Sequence, residues 1–178
     1  MKYVTLLRGI NVGGHKKVAM ADLKQCFQEL GFQDVVTYIN SGNVIFDTAQ
    51  TDKADLVNRC EVAIEAKFSF KVACSVITVK ELKLALHQVP EWWGKVDDAS
   101  HNALFAIAPT TAKEALQALG PIKTGFEQVF VAEPIIFWSA ARQTIGRSRY
   151  SKIVGTKAYQ NVTVRNANTT RKLLELSA

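Results

Sequence analysis

The sequence predicts an α+β protein built from two ferredoxin-like βαββαβ halves with mainly antiparallel sheets. Strand-like and helix-like segments follow the order β-α-β-β-α-β in the first 78 residues, and the same order returns from residue 102. The apolar fraction of 48% and the charged fraction of 21% are those of an ordinary globular chain. We therefore predict a first half over residues 1–78, a connecting helix and loop over 79–101, and a second half with a C-terminal helix over 102–178.

The first half is predicted from apolar periodicity and from turn and cap residues. Alternating or β-branched runs indicate strands, spacing of three and four indicates helices, and Gly31 ends the first helix. An Asn-Ser-Gly-Asn sequence is typical of a hairpin turn. In order, the predicted elements are a strand (2–7), a helix (20–30), a strand (35–39), a turn (40–43), a strand (44–46), a helix capped by Asp52 and a strand (71–78).

The connecting segment and the second half follow the same rules. A capping box at residues 78–81 opens a helix, after which Pro90 and Gly94 break the pattern around Trp92 and Trp93. These two rings either fold back over the core or form an exposed anchor for a partner. The second half is predicted as a strand (102–107), a helix opened by a capping box (111–114), two strands (127–132 and 135–139), a helical segment (148–154), a strand (161–165) and a last helix capped by Asn168.

The most informative stretch is the loop from Arg8 to His15, between the first strand and the first helix. Gly9, Gly13 and Gly14 let the backbone turn sharply or approach a ligand closely, and Asn11 adds hydrogen-bonding groups. A loop that only had to turn would need fewer glycines. The Arg8–His15 loop superficially resembles a phosphate-binding P-loop, but a histidine occupies the position of the P-loop lysine. We therefore do not predict a nucleoside triphosphatase.

Two further polar segments also lie at the ends of strands. One is the turn with Ser41 and Asn43, and the other is Thr163–Thr169, with Arg165, Asn166 and Asn168. Each has a simpler interpretation as a hairpin turn or a helix cap. As binding segments, they would supply the donors that hold phosphate or carboxylate groups. The predicted ligand-binding residues are Arg8, Gly9, Asn11, Gly13, Gly14, Ser41, Asn43, Arg165, Asn166 and Asn168.

No local pattern identifies a reaction, a cofactor or a metal site. No Ser-His-Asp or Cys-His signature is present. His15 is either a simple exposed residue or a general acid or base, and it is the one histidine in a setting suited to that chemistry. An RNA-recognition surface is not predicted, because Asn43 and Ile45 stand where stacking rings belong on the third strand. Whether the protein is an enzyme is left open by the sequence.

Charge is distributed unevenly along the chain. Residues 140–178 hold eight basic residues against one acid, a net charge of +7, whereas the rest of the chain is close to neutral. This segment is either a solvated face or a nucleic-acid-binding surface with Tyr150 and Tyr159 as stacking groups. The preferred function is binding of a small anionic ligand, with nucleic-acid binding as the alternative.

The cysteines and the N-terminus favour the cytoplasm. Cys26, Cys60 and Cys74 have spacings that match neither a zinc site nor a redox pair, and the first two fall on apolar helix faces. The N-terminus lacks the pattern of a secretory signal, and no apolar run is long enough for a membrane helix. The expected location is cytoplasmic, without membrane contact.

The same three polar segments carry a resemblance to a known family. Residues 6–14, 38–46 and 162–169 resemble the signature blocks of the bacterial family known as domain of unknown function 1697. The blocks lie near both ends of the chain, so the resemblance spans nearly all of it. It implies a cytoplasmic α+β protein with ferredoxin-like halves, and it implies no activity, cofactor or catalytic residue.

Overall fold

The computed structural model describes residues 1–178, which form two compact units. The first unit comprises residues 1–80 with 173–178, and the second comprises residues 81–172. The elements of the first unit up to residue 78 are β1 (Lys2–Leu7), α1 (Met20–Glu29), β2 (Gln33–Tyr38), β3 (Asn43–Asp47), α2 (Lys53–Phe68) and β4 (Cys74–Thr78). No helix in the chain is both long enough and apolar enough to cross a membrane.

The first unit has the predicted ferredoxin-like topology. Its sheet has the order β2-β3-β1-β4, and every neighbouring pair is antiparallel. Strand β1 lies inside the sheet, with Leu6 opposite Asn43 of β3 and Leu7 opposite Cys74 of β4. The loop after β1 and the turn before β3 therefore emerge at the same end of the sheet.

An aromatic cluster forms the core between this sheet and its helices. The Phe46 ring of β3 lies 5.8 Å from the Tyr3 ring and 5.6 Å from the Phe27 ring of α1. Tyr3 and Phe46 are 1% and 0% exposed, so neither ring is available for stacking on a base. Both rings belong to the hydrophobic core of the first unit.

The cysteines are core residues, and one of them is expected to make the fold less stable at alkaline pH. All three thiols are free and buried, and burial raises the pKa of Cys60 from 9.0 to about 12. A raised folded-state pKa means that the protonated thiol stabilises the fold fully below pH 9. That contribution is lost as the pH rises from about 9 towards 12, because the unfolded chain releases the proton first.

We expect the unfolding free energy of the first unit to include a Cys60 contribution that falls by about 1.4 kcal/mol per pH unit above pH 9. Urea unfolding of the wild type and of Cys60→Ala, measured at intervals between pH 8 and pH 11, tests this. The comparison uses the slopes against pH, because the cavity left by the substitution lowers stability at every pH. Parallel slopes for the two proteins would contradict the expectation.

The remaining elements contain a second βαββαβ order, in which 3₁₀ turns take the place of the second helix. They are α3 (Val79–Gln88), β5 (Ala99–Ala106), α4 (Ala112–Leu119), β6 (Glu127–Ala132), β7 (Ile135–Ala141), β8 (Val162–Asn166) and α5 (Ala167–Leu176). The second sheet has the order β6-β7-β5-β8 and is again antiparallel. The fold class predicted from the sequence is thus confirmed.

The predicted helix over residues 148–154 is wrong. Three 3₁₀ turns, Arg142–Arg147, Tyr150–Lys152 and Ala158–Asn161, connect β7 to β8 instead. The Ser148 hydroxyl donates to the Ile145 carbonyl at 2.6 Å, and the Thr156 hydroxyl donates to the Ile153 carbonyl at 2.7 Å. Because these side chains satisfy local backbone groups, they stabilise short turns in place of a continuous helix.

Helix caps were predicted correctly at two positions and wrongly at one. Asp52 accepts hydrogen bonds from the amides of residues 54 and 55, and Thr111 forms a complete capping box with Glu114. At α5, however, the side chain of Asn166 accepts from the Thr169 amide at 2.8 Å. The cap of the last helix is therefore Asn166, two residues before the predicted Asn168.

The connecting segment contributes a tryptophan to the core of the second unit. Trp93 is fully buried, and its indole N–H donates to the Asn102 carbonyl at 3.0 Å. The Arg171 guanidinium lies over the same ring at 5.5 Å. Trp93 therefore folds back into the core and is not an exposed anchor. Trp92 is half-buried.

Candidate functional site

The glycine-rich loop is a small ordered hairpin. The His15 amide donates to the Val12 carbonyl at 3.0 Å, and the Asn11 amide donates to the Lys16 carbonyl at 3.1 Å. Gly13 and Gly14 occupy the two central turn positions with φ of 58° and 78°. Two consecutive residues with positive φ are typical of the type I′ turn, which favours glycine at both positions.

Asn11 fixes this hairpin to the rest of the first unit. Its side-chain amide donates to the Val18 carbonyl at 2.9 Å and to the Asn40 carbonyl at 2.8 Å. Its side-chain oxygen accepts from the Val18 amide at 2.9 Å. Both hydrogens of the carboxamide thus go to backbone carbonyls of the protein, so Asn11 holds the loop in shape.

The turn before β3 packs directly under the loop. Gly42 has φ +75°, and a Cβ there would lie 2.6 Å from Ile10 Cδ1 and 2.9 Å from Leu7 Cβ. The Asn43 side chain is buried and donates to the Tyr38 carbonyl at 2.9 Å and to the Ser41 hydroxyl at 3.0 Å. The first two predicted segments therefore meet within one unit.

The third predicted segment belongs to the second unit. Arg165 is 6% exposed and donates to the Thr163 hydroxyl and the Val164 carbonyl. Asn166 caps α5, while Asn168 lines a hollow of about 270 Å³ together with Arg142. Arg165 and Asn166 thus have structural contacts in this unit.

A concave surface, called here the loop pocket, lies between the hairpin and the start of α1. Its volume is about 600 Å³. The α1 N-cap is Ala19, whose side chain makes no capping hydrogen bond, so the first-turn amides of α1 have no side-chain cap. The loop pocket is lined by Asn11, Gly14, Lys17, Val18, Ala19, Asp22, Asn40 and Phe68.

Charge in the loop pocket comes from residues that the sequence argument did not select. Lys17 is an exposed basic residue of the lining, and Asp22, in the first turn of α1, is an acidic one. The absence of a capping side chain before Met20 was visible in the sequence. Among the predicted residues, Asn11 and Gly14 line the pocket, whereas Arg8, Gly9, Gly13, His15, Ser41 and Asn43 do not.

The basic C-terminal segment is partly used by the fold. Arg149 donates to the Leu119 carbonyl at the end of α4, and the Arg147 guanidinium lies 5.7 Å from the centre of the Phe126 ring. The Tyr150 ring lies 5.9 Å from the Trp138 ring, and burial raises the pKa of Tyr150 to about 12. Tyr159 also packs against this core, and the bases that remain exposed include Arg142, Lys152 and Lys157.

Comparison with known proteins assigns the chain to a family. The family model described as protein of unknown function DUF1697 matches residues 1–137. The chain belongs to the DUF1697 family. The matched region contains both the glycine-rich hairpin and the turn before β3. The third predicted segment, residues 162–169, lies outside it.

A solved structure resembles this protein over the whole chain. The conserved bacterial protein SP0830 from Streptococcus pneumoniae is 29% identical and superposes with a TM-score of 0.89. The match covers 99% of this chain and 98% of that protein, so the two proteins share their fold through the second unit as well. No functionally curated protein matches the chain.

Proposed function

We propose that this protein binds a small ligand carrying a phosphate or carboxylate group in the loop pocket. The observation that carries the proposal is the uncapped start of α1, which opens into the pocket beside Lys17. Free amides at a helix N-terminus, together with the helix dipole, favour an anion. The Lys17 ammonium adds a charge-assisted hydrogen bond to the same group.

The glycine-rich hairpin leaves room for a ligand to reach the backbone in the loop pocket. Gly14 lines the pocket without a side chain, and the space next to its Cα is open, with no atom within 4 Å of a Cβ built there. A ligand can therefore approach the backbone closely at this position. Asn11 supports the binding surface by holding the hairpin against Val18 and Asn40.

We expect Lys17→Ala to weaken anion binding by about tenfold or more, because a hydrogen bond to a charged group contributes about 1.5–3 kcal/mol. Isothermal titration with inorganic phosphate, acetate, a mononucleotide and a sugar phosphate measures the effect. Asp22→Asn should strengthen binding of the same anion by removing a like charge.

Lys24→Ala is the matched control for this experiment. Lys24 is exposed on the same helix and does not line the loop pocket, so its removal changes the net charge equally without touching the site. Equal weakening by Lys17→Ala and Lys24→Ala would reduce the effect to general electrostatics and contradict the proposal. So would the absence of binding to every anion tested at millimolar concentration.

Nucleic-acid binding through the basic segment is the second candidate. It is favoured by the exposure of Arg142, Lys152 and Lys157 between β7 and β8. A short single-stranded RNA in the same titrations, at low and high salt, distinguishes the two functions. RNA affinity that falls steeply with salt and is unaffected by Lys17→Ala would support this candidate. For either function we propose a cytoplasmic location, in keeping with three free, buried thiols.

A further inference from the structure

Three polar side chains form a row across the second sheet. Ser139 of β7 stands directly opposite His101 of β5 and directly opposite Gln128 of β6. Residues in register on adjacent strands project from the same face, with Cβ atoms about 5 Å apart. His101, Ser139 and Gln128 therefore lie side by side, although no sequence motif connects them.

The hydrogen bonds of this row define the role of each atom. His101 Nδ1 lies 2.8 Å from Ser139 Oγ, and His101 Nε2 lies 2.9 Å from the Val96 carbonyl oxygen. A carbonyl oxygen only accepts, so Nε2 carries the ring proton of the neutral imidazole. Nδ1 is then the unprotonated nitrogen, and the Ser139 hydroxyl donates to it. A hydroxyl held against an oriented imidazole nitrogen is the arrangement of an activated nucleophile.

Space for a substrate adjoins this pair on two sides. Ser139 and Gln128 line a cleft of about 460 Å³, whose apolar lining includes Ile122 and Phe126. His101 lines the more polar hollow of about 270 Å³ that also contains Arg142 and Asn168. The cleft and the hollow share Val96 and Ala99, so the hydrogen-bonded pair lies where the two meet.

We propose that the second unit is a serine-dependent acyl-transfer site that hydrolyses esters of a short apolar acid with a polar alcohol. Ser139 is the nucleophile, His101 is the general base, and the Gln128 amide donates to the developing oxyanion. The acyl group occupies the apolar cleft, and the alcohol occupies the hollow with Arg142 and Asn168. This site is separate from the loop pocket and does not rest on the anion-binding proposal.

The reaction balances with water as the only co-reactant. The Ser139 hydroxyl proton passes to His101 Nδ1 while Oγ bonds to the ester carbonyl carbon, and the carbonyl electron pair moves onto oxygen. Collapse of this adduct breaks the bond to the alcohol oxygen, which takes the proton from His101. Water then attacks the acyl-serine by the same proton path and releases the acid and free Ser139.

Covalent labelling of the full chain tests the assignment directly. A fluorophosphonate ester should phosphonylate Ser139, as identified by peptide mass spectrometry, and p-nitrophenyl butyrate should be hydrolysed. His101→Gln should slow both reactions by about 100-fold or more, the range expected for loss of a general base. Gln128→Ala, at an exposed position, should slow butyrate hydrolysis at least about tenfold.

Matched variants separate this chemistry from background reactivity. His87→Gln and Ser151→Ala alter an exposed histidine and an exposed serine of the same unit outside the row, and both should react like the wild type. Circular dichroism and thermal melting establish that each variant is folded. A wild type that is not labelled at Ser139, labelling that persists at the same rate in His101→Gln, or hydrolysis unchanged in a folded Ser139→Ala protein would overturn the proposal.

Discussion

Glu127→Ala is expected to lower the free energy of unfolding of the second unit by about 3–5 kcal/mol. Glu127 is 7% exposed, and its carboxylate accepts three hydrogen bonds. They come from the Trp138 indole at 2.9 Å, the Lys123 amide at 2.6 Å and the Tyr150 amide at 3.1 Å. Removing the acceptor leaves the buried Trp138 indole donor and two part-buried amides without their partner. A buried donor left unpaired costs about 1–3 kcal/mol, and the two part-buried amides add smaller losses.

The carboxylate also organises the segment that replaces a helix between β7 and β8. Through the Trp138 and Tyr150 contacts it ties the sheet to the second 3₁₀ turn, Tyr150–Lys152. We therefore expect the substitution to loosen residues 142–161 before the sheet itself unfolds. Faster amide hydrogen exchange confined to this segment would be the local sign of that loosening.

Guanidinium chloride unfolding followed by tryptophan fluorescence measures the stability of this unit, because all three tryptophans lie within residues 81–172. Glu91→Ala is the control, since the Glu91 side chain is 97% exposed and its loss should change stability by about 0.5 kcal/mol or less. Glu127→Gln keeps the shape and one acceptor oxygen, and an intermediate loss is expected. Equal stability of Glu127→Ala and Glu91→Ala would show that the three hydrogen bonds do not hold the unit together.

Asn11→Asp is expected to destabilise the glycine-rich hairpin by about 2–4 kcal/mol although the two side chains have nearly the same shape. Aspartate retains an oxygen to accept from the Val18 amide. It loses the two hydrogens that now go to the Val18 and Asn40 carbonyls, and it places a carboxylate oxygen against both. The substitution therefore replaces two attractive contacts with two repulsive ones.

Amide hydrogen exchange at Val18 and at His15 provides the measurement. Both amides donate within the hairpin in the wild type, so both should exchange faster in Asn11→Asp and in Asn11→Ala. At His15, exchange should be faster in Asn11→Asp than in Asn11→Ala, because alanine removes the bonds of the side chain without adding repulsion. If exchange is unchanged and only ligand affinity falls, Asn11 acts as a ligand contact and its structural role is refuted.

Much of the fold was predictable because local rules decide it. Strand β1 was predicted with its observed bounds, Lys2–Leu7, from a mainly apolar run. The caps at Asp52 and Thr111 follow from one side chain and the amides two or three residues later. Where the local signals conflicted, prediction failed: Ser148 and Thr156 hydrogen-bond their own turns, so no helix forms between β7 and β8.

The candidate sites were predicted only in part. The glycine-rich loop and the turn before β3 were selected from the sequence as binding segments, which stays a prediction, and they meet because β1 and β3 are neighbours. Lys17 and the uncapped start of α1 carried a local signal that was overlooked. The contact between His101 and Ser139 carried none, since their 38-residue separation is bridged only by the pairing of β5 with β7.

The sequence by itself determined which segments are strands, helices and turns, and hence the ferredoxin-like order of each half, because periodicity and capping act over a few residues. Only the tertiary structure decided which polar groups are used internally and which remain available. From the sequence Asn11 was expected to donate to a ligand, but its side-chain amide donates to two backbone carbonyls, one of them 29 residues away. Ser139 looked like an ordinary strand residue and lies against an imidazole. Such partners are set by strand register and long-range packing, whose distances no local pattern encodes.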